Sequence, residues 1–93
     1  MDLLREEEIR AALADLPGWE RAGDALAKTF TLPSFKEAVF FVNTVAGLAE
    51  AANHHPDIDI RYRRVHLALT THDAGGLTRR DVDLARRIEE LTR

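Results

Sequence analysis

The sequence predicts an α+β fold: a four-stranded antiparallel sheet with helices packed on one face, in the order αββαββα. Three observations lead there. Two β-prone stretches, residues 19–32 and 57–72, each break in the middle, which makes hairpins rather than the strand–helix–strand alternation of a parallel sheet. Between them lies a long helical run, residues 35–52, preceded by a cap signal. Finally, 93 residues with 45% hydrophobic and 31% charged side chains suit one two-layer core, so residues 1–93 are expected to form a single domain.

The elements follow in order. Residues 2–15 read as a helix, with Leu3, Leu4, Ile9, Ala12, Leu13 and Leu16 on one side. Its acidic run Glu6-Glu7-Glu8 falls early, where the helix dipole favours negative charge. Pro17-Gly18 ends it. Residues 19–22 and 25–32 read as strands joined by Gly23-Asp24, a two-residue hairpin signal. In the second strand Leu26, Phe30 and Leu32 share a face that Lys28 interrupts. Pro33 closes the strand, and Ser34 with Glu37 forms a capping box for the central helix. That helix has one narrow polar stripe of Lys36, Glu37, Asn43, Thr44 and Glu50. So little polar surface calls for cover on two sides, by the sheet and by another subunit. Residues 57–62 alternate with Ile58, Ile60 and Tyr62 on one face, and residues 65–72 alternate again, which puts the turn at Arg63-Arg64. The residues from Asp73 to Gly76 form a loop. Thr78 and Asp81 make a second cap, with Leu77 and Val82 as a staple, and Ala85, Ile88 and Leu91 line the last helix's core face.

Composition excludes several classes. No apolar run reaches the ~20 residues of a membrane-spanning helix. The first twenty residues are acidic and periodic, so no secretory signal is expected. The absence of cysteine removes disulfides, thiolate metal sites and thiol nucleophiles, and makes the cytoplasm the expected compartment. Net charge is −3, against nucleic-acid binding, although residues 61–93 carry +3. That basic third reads as a solvated face balancing the acidic first one.

Chemistry concentrates in four histidines within nineteen residues: His54, His55, His66 and His72. Imidazole donates and accepts protons near neutral pH without special tuning. The second hairpin carries His54 and His55 to the same sheet end as His72 and Asp73, which makes a proton-transfer site. His66, in mid-strand without an acidic sequence neighbour, reads as solvated. A metal centre is the rival reading, with Asp57, Asp59 and Asp73 as further ligands. Adjacent histidines point apart, however, and no His-Glu-x-x-His spacing is present, so no metal is expected. Asp81 reads as a helix cap, and Trp19 and Tyr62 as core or rim residues.

These residues resemble a known family. Glu50, His54-His55-Pro56, Tyr62, His72 and Asp81 have the spacing pattern of the pterin-4a-carbinolamine dehydratases. Pro17-Gly18-Trp19 and the run Thr70-Thr71-His72-Asp73-Ala74-Gly75-Gly76-Leu77-Thr78 are similar to that family as well, so the resemblance covers nearly the whole chain. It departs at Ile58-Asp59, where many members have an aromatic residue, and at Arg63-Arg64, where the turn often contains Asn. The resemblance implies a dehydratase that converts 4a-hydroxytetrahydropterin to quinonoid dihydropterin without cofactor or metal, in tetrahydrobiopterin recycling. It implies His54 and His72 as the acid/base pair. His55 would orient the pterin, with Glu50 in support, and Trp19 and Asp73 would join in binding it. It also implies a homodimer or homotetramer; charge and the lack of a long apolar run already give no expectation of a nucleic-acid or membrane partner. A second possibility, from relatives of this fold, is a non-catalytic dimerisation cofactor of a transcription regulator. The complete histidine set favours the enzyme.

Overall fold

The computed structural model describes residues 2–92. Its order is α1 (Glu6–Ala14), β1 (Glu20–Ala22), β2 (Ala25–Thr31), α2 (Phe35–Ala52), β3 (Asp57–Arg61), β4 (Arg64–Leu69), a short 3₁₀ turn (His72–Ala74) and α3 (Arg79–Glu90). The four strands form one antiparallel sheet in the order β1-β2-β4-β3. This is the αββαββα order and the α+β class that the sequence predicts.

The core lies between the sheet and the three helices. Leu26 and Phe30 of β2 and Val65, Leu67 and Leu69 of β4 meet Ile9 and Ala12 of α1, Ala38, Phe41, Val45 and Ala49 of α2, and Leu84, Ala85 and Ile88 of α3. Each large side chain buried there contributes roughly 1.5–3 kcal/mol relative to exposure. Trp19 meets Phe30 edge-on, with centroids 6.0 Å apart, and Phe30 meets Phe41 at 4.8 Å. On α2 the neighbours Phe40 and Phe41 separate as a helix requires, Phe41 buried and Phe40 59% exposed.

Several boundaries differ from expectation, each for a local reason. α1 starts at Glu6, because residue 4 is held outside it by the bond from Leu4 N to Leu77 O, and Leu3 is exposed. The Ser34 hydroxyl accepts from Glu37 N at 3.2 Å, yet the reciprocal carboxylate bond of a full box does not form. Lys28, which interrupts the apolar face, has its ammonium 2.8 Å from the buried Glu89 carboxylate and 2.7 Å from Pro17 O. The second hairpin turns at Tyr62-Arg63 rather than Arg63-Arg64. Arg61 pairs with Arg64, and Tyr62 takes a left-handed φ of 54°, as a two-residue hairpin turn requires. The strand expected to run on to residue 72 stops at Leu69, and His72 opens the 3₁₀ turn that a Thr71–Gly76 bridge closes. Leu91 lies beyond α3 and is partly exposed.

Candidate active site

The C-terminal end of α2 sets the site. Asn53 adopts φ 50°, and the two amides after the helix turn back onto it, Asn53 N to Glu50 O and His54 N to Ala49 O. This is the Schellman arrangement with asparagine in place of glycine. The reversal separates two side chains that are adjacent in sequence. His54 turns inward toward α3, and His55 turns back along α2.

His54 is buried, and its Nε2 lies 2.6 Å from Asp81 Oδ1. Asp81 is fully buried in the first turn of α3. Its Oδ2 accepts from Thr71 Oγ1 at 2.8 Å and from Thr78 N at 2.9 Å, the second being half of the cap predicted for Thr78. Thr71 and Thr78 share a further hydrogen bond of 2.8 Å. No buried side-chain nitrogen or oxygen among the described residues lacks a partner, and no described residue bonds His54 Nδ1. Nδ1 is therefore the ring atom open to solvent.

His55 is built differently. Its Nε2 meets Glu50 Oε2 at 2.5 Å, but both side chains are more than half exposed. His72, exposed on the 3₁₀ turn, approaches from the other side of the sheet end. A cleft of about 210 Å³ is lined by Asn53, His54, His55, Thr70, Thr71, His72, Asp73 and Arg80. The Arg80 guanidinium donates to the Asn53 carbonyl, tying α3 to the α2 terminus across the cleft mouth.

The structure thus brings His54, His55, His72 and Asp73 together, with Glu50 behind His55. It does not bring Trp19. That indole is buried and donates to Glu89 Oε1 at 2.9 Å, near the opposite end of α3 from Asp81. Trp19, expected to join in binding the substrate, lies outside the residues lining this cleft and packs in the core. His66 sits on the open face of the sheet, bonded to Thr29 Oγ1 at 2.8 Å and cross-strand from Asp59. Sequence reasoning missed Thr71 and Arg80 and treated Asp81 only as a cap. The Thr70–Thr78 run carried the signal for Thr71, but Arg80 had none. Among the described residues no three His, Cys, Asp or Glu side chains converge as a metal cage needs. A larger groove of about 650 Å³ follows Lys28, Phe30, Phe40, Phe41 and Thr44, with no histidine in it.

The fold and the site thus define an antiparallel α+β protein with a cleft lined by three histidines. The chain belongs to the pterin 4 alpha carbinolamine dehydratase family, whose model matches residues 2–91. A relative from Thermomicrobium roseum that bears the family's name is 58% identical over 91 residues, 98% of each chain. Another from Roseiflexus sp. is 61% identical over 88 residues, 95% of each. A crystal structure from Brucella melitensis, described as a transcriptional coactivator/pterin dehydratase, superposes with TM-score 0.93 at 33% identity, covering 97% of this chain and 98% of that one. A pterin dehydratase-like protein described as a RuBisCO assembly factor shares the fold, with TM-score 0.64 and 23% identity over 78% of this chain and 84% of that one.

Proposed function

We propose that this protein dehydrates a 4a-hydroxytetrahydropterin to the quinonoid dihydropterin in the cytoplasm, and so supports tetrahydrobiopterin recycling. The observation that carries the reading is the convergence of three histidines from two separate segments on one cleft. Loss of the 4a hydroxyl needs a proton on the departing oxygen. The lone pair of the adjacent ring nitrogen expels it as water, and a base then removes the proton from that nitrogen. His54 and His72 supply the acid and the base. His55, set on Glu50, orients the ring, and Asp73 binds it from the 3₁₀ turn. The chemistry requires no cofactor and no metal. The test is dehydration of synthetic 4a-hydroxytetrahydropterin by the purified protein, with and without a chelator. A rate equal to the uncatalysed one overturns the assignment, and loss of activity with chelator overturns the metal-free chemistry.

The 59% exposure of Phe40 on α2 favours self-association through that helix, as a homodimer or homotetramer. The same face supports the second reading, a dimerisation cofactor docking a regulator's helix. The similarity to the Brucella protein, described as a transcriptional coactivator, also favours it. A protein that docks a partner but turns over no pterin is the result that would prefer it.

A further inference from the structure

The reading of the cleft as an acid–base site leaves Asp81 unexplained. A helix cap needs only one carboxylate oxygen near the Thr78 amide, and Oδ2 provides it at 2.9 Å. The second oxygen is aimed at His54 Nε2, 2.6 Å away, in a contact that is buried on the Asp81 side. Oδ2 also receives the Thr71 hydroxyl, whose own oxygen lies 2.8 Å from that of Thr78. The Thr78 hydroxyl in turn accepts from Arg80 N, at 3.3 Å. The direction of this chain of bonds is determined. The Thr78 amide can only donate to Asp81, Thr71 donates its hydroxyl proton to the same oxygen, and Thr78 donates to Thr71. The carboxylate is then an acceptor on both oxygens, and the remaining donor it can take is an N–H on His54 Nε2.

We propose that Asp81 is a positioning residue: it holds His54 in the tautomer protonated at Nε2, with the Nδ1 lone pair facing the cleft as the proton acceptor. This rests on the dehydratase reading and deepens it. His54 becomes the base, taking the ring-nitrogen proton on Nδ1, and the resulting imidazolium shares its Nε2 proton with the buried carboxylate. Donation to the departing hydroxyl falls to His72. The other titratable groups lining the cleft, His55, His72, Asp73 and Arg80, make no bond to the His54 ring. Asp81 alone can therefore set the tautomer. One carboxylate thus serves two elements: it starts α3 and aims the histidine that follows α2.

The experiment combines nitrogen-15 NMR of the histidine rings with steady-state kinetics. In the wild type, neutral His54 should show a protonated Nε2 and an unprotonated Nδ1. Asp81→Asn keeps an oxygen for the Thr78 amide and can turn its NH₂ toward His54. It should shift the ring to the Nδ1-protonated form and lower kcat by about 10²-fold or more, with KM changed much less. A wild-type His54 protonated at Nδ1 overturns the proposal, and so does an Asp81→Asn protein with wild-type kcat and ring spectrum and only a lowered melting temperature. If Asp81→Asn fails to fold, the wild-type spectrum decides. If the wild type dehydrates no pterin, the functional reading fails, and the tautomer measurement still judges the role of Asp81.

Discussion

Two histidine–carboxylate pairs stand side by side, with almost the same contact distance and opposite surroundings. His54 and Asp81 meet at 2.6 Å with side chains 8% and 0% exposed; His55 and Glu50 meet at 2.5 Å with side chains 55% and 77% exposed. In water an ion pair is screened, loses side-chain entropy and is worth ~0–1 kcal/mol, so the outer pair can open and close at little cost. The inner pair has no water to replace either partner. Breaking it strands a buried imidazole or a buried carboxylate, at several kcal/mol. Contact geometry alone therefore does not assign a role. The buried pair keeps a ring in one orientation, which suits the proton transfer proposed for His54, while the exposed pair leaves its ring free to move, which suits the ligand-orienting role proposed for His55.

The largest expected effect breaks the chemistry on both sides of the cleft. His54→Ala and His72→Ala should each lower turnover by roughly 10²–10⁴-fold, the range for general acid–base groups. The double variant should approach the uncatalysed rate in the dehydration assay. Stability separates the two pairs next. Asp81→Ala should lose about 2–4 kcal/mol in urea unfolding, because it removes a cap and leaves buried donors on Thr78, Thr71 and His54 without an acceptor. Glu50→Ala should lose less than about 0.5 kcal/mol. Equal losses would show that burial does not distinguish the pairs.

A smaller effect sharpens the outer pair's role. His55→Ala should raise KM by more than it lowers kcat, and an unchanged KM with a collapsed kcat would make His55 the acid. Away from the cleft, Phe40→Glu should dissociate the proposed oligomer in sedimentation while the chain stays folded, whereas Phe41→Glu should unfold it. A monomeric wild type at micromolar concentration would remove the interface reading and leave the chemistry intact. The smallest effect is at Glu8, another exposed carboxylate. A hydrogen bond from the Arg5 amide, aided by the Arg5 side chain, holds it below the ordinary glutamate value of 4.5. Its contribution is full above that value and disappears as pH falls through the lower native one. Glu8→Gln should therefore cost a little stability at neutral pH and none in strong acid, which flattens the acid limb of the stability profile slightly.

Much of the molecule was legible from local signals. The capping hydroxyl of Ser34 and the apolar density after it gave α2 the bounds Phe35–Ala52, and Thr78 with Asp81 gave the start of α3. Period-2 alternation and the Gly23-Asp24 link gave the first hairpin. These signals lie within a few residues, where backbone hydrogen bonds and side-chain periodicity act directly. The histidine cluster was legible too, because hairpin geometry carries Pro56 back to the end of β4. The long-range polar contacts were not. The ring of His54 is set by a carboxylate 27 residues away, and the indole of Trp19 by one 70 residues away. Lys28 looked like a flaw in a strand until Glu89, 61 residues on, arrived to pair with it. A buried polar group must find its partner wherever packing puts one, and packing is a property of the assembled helices and sheet, not of neighbouring residues.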